Sequence, residues 1–483
     1  MPLILNAVKG ACVRQSVFEY RRREPEQSVL HEAIRVHLST FLATHSVPSH
    51  VERAFRNYVD CGCLAKGFLR VRCPECKKES LVAFSCKDRG FCPSCTARRA
   101  ADTAAHLVDN VLPHAPMRQW VLALPMDAHL RVSRDAELET KLLNIFHEEL
   151  EELLRATSQA GELSQGGSVT FIQHFGSTLN VHVHFHLLAL DGLYVPGAND
   201  EAPPTFTRAP APTREQVTWL CERIATRARR VLARAPVEEP TDERQAPVLR
   251  VHDTAPAELH EPKLHARVDG FDLHASQPIE ALDRTAVERF IRYCLRGPIA
   301  EGRLTNGPRE GLLTYRLKEP KADGTTSLVL SPIALLERLA KLIPLPGRHM
   351  VRHHGVLSNA ARWRPKILPK PPDDPTIQLP GLGRRRRLDW ANLLRRVYLI
   401  DVLACSCGAR RQIIATIEEG PVATRILRHL GLPYTAPKLE PARIEQPELW
   451  PTGPPPLPDR EPPPAFDWDQ RPPTAHAEPV APT

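Results

Sequence analysis

Three histidines alternate with apolar residues in the stretch VHVHFHLLAL, residues 181–190. His182, His184 and His186 fall between Val181, Val183, Phe185 and Leu187. A period of two predicts a β-strand, because successive strand side chains point to opposite faces. The imidazoles then share one face and the apolar residues take the other. Imidazole is a common ligand of divalent metals, so the row is a platform for one.

A tyrosine further along the chain could supply a nucleophile. Asp283 is a candidate N-cap and Gly297-Pro298 a stop signal, which predicts a helix over 283–296. Val287, Phe290, Ile291, Cys294 and Leu295 form its apolar stripe. At 100° per residue, Tyr293 lies about 140° from the centre of that stripe. Arg289, Arg292 and Arg296 fall on the tyrosine's side. Guanidinium groups hold phosphate oxygens and favour a phenolate. The bland alternative is a tyrosine on a solvated basic helix.

The cysteines form a third group. The chain has 12, and seven lie between Cys61 and Cys95. Such crowding points to metal in a reducing compartment rather than a disulfide framework. Cys73-x2-Cys76 and Cys92-x2-Cys95, fifteen residues apart, have the spacing of two knuckles closing one tetrahedral zinc site. Cys61, Cys63 and Cys86 are near enough in sequence to complete a second site or to substitute in the first. Four thiolates leave no open position, so the zinc is expected to be structural. Lys87, Arg89, Arg98 and Arg99 flank the block and suit phosphate contact. Cys405-Ser-Cys407 has one residue between its thiols and is read as two ordinary half-buried cysteines.

These groups need a scaffold. At 483 residues the chain exceeds one ordinary domain. Its net charge of +8 favours an anionic partner. No apolar run approaches the length of a membrane span, and no secretory signal is evident. Residues 1–28 read as a basic arm. Residues 29–60 read as helical, and 29–116 as a helical and zinc-binding domain. Residues 117–125 read as a strand and 135–158 as an amphipathic helix. The segment 168–175 pairs with 181–190 as an antiparallel hairpin. Segments 196–214 and 235–263 are rich in Pro, Ala and Glu, and 196–265 reads as an insertion carrying an arginine-rich helix. Residues 346–433 form a basic, helical C-terminal region. From Thr435 onward 15 of 49 residues are proline, so 434–483 reads as a disordered tail.

The ordered set CGCLAKGFLRVRCPEC, FSCKDRGFCPSCTARRA, MRQWVLALP, LNVHVHFHLLALDGLY, FDLHA, RYCLRGPIAEGRL and RHHGVLSNAARWRPKILP resembles the HUH (His-hydrophobic-His) transposases of the insertion-sequence-ninety-one family. The resemblance runs from about residue 30 to about residue 433. It implies an α+β chain: a small cysteine-rich zinc-binding domain, then a core at 117–345. In that core an antiparallel sheet has the histidine strand central and helices on one face.

The resemblance also implies an activity. The enzyme would cleave and rejoin single-stranded DNA through a 5′-phosphotyrosine, with a free 3′-hydroxyl as leaving group, in rolling-circle transposition. Tyr293 matches the catalytic tyrosine. His184 and His186, flanking Phe185, match the pair holding Mg2+ or Mn2+, with His182 and Val183 an alternative register. His274, in FDLHA, is the candidate third ligand. Relatives with two tyrosines carry them four residues apart. Here Arg289 and Gly297 occupy those positions, which places the chain in the single-tyrosine, common-region (ISCR) branch. Tyr315 and Tyr398 read as ordinary tyrosines. Expected partners are single-stranded DNA at element ends and target, and a second copy in a homodimer. The expected location is the bacterial cytoplasm, on the nucleoid when DNA-bound. The run Arg384–Arg387 with Arg395 and Arg396 would track phosphates. Trp120, Trp363 and Trp390 could stack bases, though core packing is commoner. Competing readings are a non-catalytic zinc-finger DNA-binding protein, or a replication initiator or relaxase with the same core.

Overall fold

A computed structural model describes residues 24–235, 248–252, 264–321, 323–368 and 403–443. Most of the basic arm and of the proline-rich tail lie outside the described residues, as do Arg384–Arg387, Arg395, Arg396, Trp390 and Tyr398. The described chain is α+β.

The N-terminal helical segment is two helices, α1 (Val29–Thr44) and α2 (Ser49–Asp60), rather than one. Pro48 lacks an N–H and disfavours helix at the residue before it, which separates them. Ser28 caps α1, accepting from His31 N–H at 3.3 Å. Two strands follow, β1 (Gly67–Arg72) and β2 (Glu79–Ala83), then the long helix α3 (Pro93–Asn110).

The central sheet draws on strands from across the chain: β3 (Met117–Ala123), β4 (Gly167–Phe175), β5 (Val181–Leu190), β10 (Phe271–Ile279), β9 (His265–Val268) and β14 (Val351–Gly355). Their order is β14-β4-β5-β3-β10-β9, and every neighbouring pair is antiparallel. The histidine strand β5 is therefore interior, as expected. The β4–β5 hairpin closes where Gly176 N–H donates to Asn180 O at 2.9 Å.

Helices cover both faces, not one. On the first face lie α4 (His129–Arg134), α5 (Ala136–Ser158) and α6 (Arg214–Arg234), against Trp120, Leu122, Val183, Phe185 and Leu187. On the second, α3 and α7 (Arg284–Cys294) pack on Val169, Phe171, Leu188 and Leu190. The described part of 196–265 is thus not a covering insertion. Besides β7 (Thr205–Arg208), which pairs with β6 (Gly192–Val195) just before it, it includes α6, which buries Val217, Leu220, Ile224 and Leu232 in the main core. Thr213 and Gln216 form a capping box at its start. Its arginines Arg223 and Arg227 are bound to Glu149 of α5, which is fully buried.

A second sheet runs β11 (Leu304–Asn306), β12 (Leu313–Arg316), β13 (Thr325–Leu330), β8 (Val248–His252). With α8 (Pro332–Leu342) it shares one apolar cluster with α1 and α2, so the zinc-binding region and the core are continuous. The region 346–433 is neither a separate nor a purely helical unit. Its β14 completes the central sheet. A short helix α9 (Arg364–Ile367) follows. Its β15 (Gln412–Glu418) pairs with β1 of the N-terminal region, and α10 (Pro421–His429) packs behind. A strand with unpaired backbone groups finds its partner wherever an edge is open, whatever the separation in sequence.

Candidate active site and metal centres

The second face of the central sheet carries the histidines. Ring centroids of His184 and His186 lie 4.9 Å apart, and those of His182 and His184 5.3 Å apart. His184 and His186 are buried, the latter 1% exposed. Burial holds both imidazoles neutral, and it takes His186 down to about 3; the charge of Arg296 adds to the effect on both. Neutral imidazole is the form that binds metal.

Hydrogen bonds select the nitrogen that each ring offers. His184 Nδ1 lies 3.0 Å from the carbonyl of His182, so Nδ1–H donates and Nε2 keeps its lone pair. The side-chain amide of Gln119 lies 3.1 Å from His186 Nδ1. The amide nitrogen is the atom placed there; exchanging amide nitrogen and oxygen, which are alike in shape, lets the oxygen accept from Nδ1–H and leaves His186 Nε2 a lone pair. That Nε2 is buried and has no hydrogen-bond partner. Gln173 pairs with His184 across β4 and β5, and its Oε1 is another buried oxygen lacking a partner. Two imidazole nitrogens and an amide oxygen fit a divalent cation and favour Mn2+ over Mg2+, which prefers oxygen and water.

His182 is engaged otherwise. His129, at the start of α4, accepts from Val183 N–H through Nδ1 at 3.1 Å. Its Nε2 therefore carries the proton and donates to His182 Nδ1 at 2.7 Å. His274 shares the face of His186, but Val121 of β3 stands between them in the register. Their backbones are thus two strand spacings apart, about 9.6 Å. Among the described residues no group of three His, Asp or Glu side chains converges on one point.

Tyr293 sits at the end of α7. Asp283 caps the helix, accepting from Ala286 N–H at 2.9 Å, and Val287, Phe290, Ile291 and Cys294 are buried. Gln173 donates to the carbonyl of Cys294, fastening the helix end over the histidine strand. The half-buried Tyr293 ring stands edge-on to His186, with 6.5 Å between centroids and 89° between planes. Arg296 Cζ is 4.1 Å from the Tyr293 centroid and Lys318 Nζ 5.8 Å. Of the arginines expected around the tyrosine, Arg296 stacks on it. Arg289 is half-buried with its Nε enclosed, and Arg292 is half-buried. Tyr315 is buried, its hydroxyl accepting from Ala300 N–H at 3.4 Å. Trp120 is in the core.

The cysteines form two clusters, and their membership corrects the sequence reading. Cys73 and Cys76 are not grouped with Cys92 and Cys95. One cluster is Cys61, Cys86, Cys92 and Cys95; the other is Cys73, Cys76, Cys405 and Cys407. The β1–β2 hairpin explains the split, because it carries Cys73 and Cys76 to its tip while Cys92 and Cys95 sit at the start of α3. In the first cluster Cys61 Sγ is 3.7 Å from both Cys92 Sγ and Cys95 Sγ, and Cys86 Sγ is 3.3 Å from Cys95 Sγ. Tetrahedral thiolates at about 2.3 Å from zinc would be about 3.8 Å apart, so this donor set fits structural zinc. Cys63 joins neither cluster; its thiol donates to Val59 O at 3.4 Å.

The first cluster is coupled to the tyrosine. Helix α3 begins at its ligands and runs antiparallel to α7. Gly297 meets Thr96 of α3, where a Cβ would come within 3.3 Å of the threonine methyl. At the other end Arg284 of α7 donates to Pro113 O and Leu112 O, each at 3.0 Å. Arg99 donates to Lys87 O at 2.6 Å and Asp88 O at 2.9 Å, and Arg89 to Arg348 O at 3.3 Å. Arg99 thus braces the cysteine loop. Lys87 and Arg89 are exposed; Arg98 is half-buried.

Residues 33–124 match the family model described as "Transposase zinc-binding domain", and residues 167–364 match the one described as "Putative transposase". The chain belongs to the insertion-sequence-ninety-one family of transposases. Together the two matches take in more than half of the chain, including the first cysteine cluster, the histidine strand and Tyr293. No curated protein and no solved structure matches this transposase. Among its described residues no helix is long and apolar enough to cross a membrane. His129, Gln119, Gln173 and Lys318 went unread in the sequence. Each is a single polar residue without a local pattern, and only the strand register and helix packing bring it to the site.

Proposed function

We propose that this transposase cleaves and rejoins single-stranded DNA through a 5′-phosphotyrosine on Tyr293, the chemistry of rolling-circle transposition. The carrying observation is the Tyr293 ring standing against His186 with Arg296 stacked on it. His184 Nε2, His186 Nε2 and Gln173 Oε1 would hold Mg2+ or Mn2+, which when bound polarises the scissile phosphate and offsets charge gathering on it. Gln119 and the His182 carbonyl orient the two imidazoles, as outer partners of metal-binding histidines do. The tyrosine oxygen attacks phosphorus, the bond to the 3′-oxygen breaks, and that oxygen leaves as a 3′-hydroxyl after taking up a proton. Arg296 and Lys318 hold the non-bridging oxygens as the phosphorus passes from DNA to protein. In rejoining, a 3′-hydroxyl attacks the phosphotyrosine and the phenol is restored. One phosphoester replaces another throughout, so no nucleotide cofactor is consumed. With Arg289 and Gly297 four residues to either side of Tyr293, the two strand transfers run sequentially or use the tyrosine of a second copy in a homodimer.

The test is cleavage of labelled single-stranded oligonucleotides from the ends of the encoding element, with Mn2+ present. Wild type is expected to form a covalent protein–DNA adduct, and Tyr293→Phe to bind DNA without forming one. An adduct that persists in Tyr293→Phe refutes the assignment. DNA binding with no adduct in either protein points instead to a non-catalytic DNA-binding protein.

A further inference from the structure

The second cysteine cluster joins Cys73 and Cys76, inside the zinc-binding-domain match, to Cys405 and Cys407, which follow residue 364 and lie outside both family matches. Its two halves are unlike. Cys73 and Cys76 occupy the β1–β2 turn, where Cys73 N–H donates to Lys78 O at 3.0 Å and Lys77 N–H to Cys73 O at 3.1 Å. Lys77 there takes a left-handed backbone, φ 63°. Cys405 and Cys407 occupy a second tight turn. In it Gly408 N–H donates to Cys405 O at 2.9 Å and Cys405 N–H to Ala409 O at 3.0 Å, with Gly408 at φ 87°. A glycine adopts that φ at no steric cost, which is how a spacing of one residue still turns both thiols the same way.

The four sulfurs lie within 4.8 Å of one another. Cys73 Sγ is 3.5 Å from Cys407 Sγ, and Cys76 Sγ 3.3 Å from Cys405 Sγ. A disulfide would bring a pair to about 2.05 Å, whereas a zinc tetrathiolate keeps its sulfurs about 3.8 Å apart. The cross-chain pairing and the four-fold convergence both match the tetrathiolate.

The surrounding packing says what such an ion would hold. Strand β15 pairs with β1 along its length. Behind it lies a small apolar cluster: Ala423 and Leu427 of α10 with Leu64 and Phe68 are its only fully buried members among the described residues, and Leu81, Ala83, Ile417, Ile426 and Leu432 pack half-buried around them. Arg411 donates to Ser80 Oγ at 2.9 Å, and Lys66 reaches Glu419 at 3.2 Å. Further on, Glu440 binds Arg35 of α1 at 2.7 Å. A unit with so small a core needs a staple.

We propose that Cys73, Cys76, Cys405 and Cys407 bind a second structural Zn2+, which staples residues 403–443 to the N-terminal zinc-binding domain across more than three hundred residues of intervening chain. The full-length protein then carries two zinc ions. The first orders α3, and the second fixes the returning C-terminal segment to β1.

Metal content of the purified full chain, with thiols kept reduced, tests this. Wild type should hold two zinc ions per chain. Cys405→Ser/Cys407→Ser should hold one and should release the segment after residue 403 to limited proteolysis, while wild type resists. Cys407→His should keep two, because three thiolates and an imidazole still make a zinc site. One zinc in wild type, two retained in the double serine variant, or a mass showing a disulfide between these cysteines would each overturn the proposal. Loss of both ions in the double variant would also overturn it, since the sites would then not be separate. Neither DNA nor cleavage enters these readouts, so they stand apart from the reading of Tyr293.

Discussion

The histidine strand and the cysteine clusters assemble their donors by opposite routes. The imidazoles of His184 and His186 come from one interior strand, two residues apart, fixed by hydrogen bonds on both sides. The thiols come from turns and helix ends that meet only when distant segments fold together, and two of them, Cys76 and Cys407, are exposed. The histidine site is held by the sheet whether or not an ion is bound. The first cysteine site is seated in an apolar cluster, whereas the second brings thiols together at exposed turns, and there the ion carries most of the structure. Catalytic metal should therefore be removable without unfolding, and structural zinc should not.

Breaking the histidine site is expected to give the largest effect. His184→Ala and His186→Ala should each lower single-strand cleavage on the order of 10³-fold, the loss of several kcal/mol of charge stabilisation. Thermal unfolding should shift little. A variant cleaving within tenfold of wild type would exclude that histidine as a ligand. Omitting Mg2+ and Mn2+ from the buffer should abolish cleavage and leave the melting temperature in place, with added Mn2+ restoring activity; stripping zinc with EDTA should lower the melting temperature.

Gln173 sharpens the comparison, because it holds the helix end and is a proposed ligand of the cation. Gln173→Ala should weaken Mn2+ binding about 10–100-fold, read by titration without DNA. Gln173→Glu should restore binding, since a carboxylate is a better hard-cation donor. Equal affinity in all three proteins would remove Gln173 from the ligand set.

A stability contrast comes next. Arg118 and Asp191 form a buried two-bond pair at 2.7 and 3.1 Å between β3 and the end of β5. Asp191→Ala leaves the guanidinium buried and unpaired, and should cost about 3–5 kcal/mol in urea denaturation. Breaking the half-exposed Arg56–Glu52 pair on α2 should cost under about 1 kcal/mol.

Acid sensitivity gives a further contrast, spread over several pH units. Burial lowers His129, His353 and His354 to about 4 each. Their unfolded value is about 6.5, so the unfolded chain takes up protons first as pH falls. Their contribution is complete above that value, erodes down to about pH 4, and is flat below. Each adds at most about 1.4 kcal/mol per pH unit to the slope. His354, whose ring stacks on His147 with centroids 3.5 Å apart, is the one to replace: His354→Phe should flatten the slope by one proton.

The parts of this architecture readable in sequence are those with a local period. Strand β5, its hairpin with β4 and the capped tyrosine helix follow from residues within one turn or one pleat of each other. So does the placement of His184 and His186 on one strand face and of Tyr293 on the helix. What escaped reading depends on where strands pair. The arginine-rich helix that became α6 was legible, yet its proline-rich flanks suggested an insertion rather than a core layer. The fifteen-residue spacing between cysteine knuckles suggested one site, and only the hairpin between them sends each half to a different partner. His274 looked like a ligand because nothing in the sequence reveals that a strand carrying Val121 lies between it and His186.

The antiparallel contact between α3 and α7, with Thr96 seated on Gly297 and Arg284 closing the far end, bears on how such enzymes diversify. A recognition domain joined to a nuclease by a linker can be exchanged for another by simple recombination of coding segments. Here the surface of the tyrosine helix is half of the joint. New DNA specificities in this lineage are expected to arise by substitution within the existing partners, or by inheriting both helices together, and a chimera that separates them inherits a misplaced Tyr293.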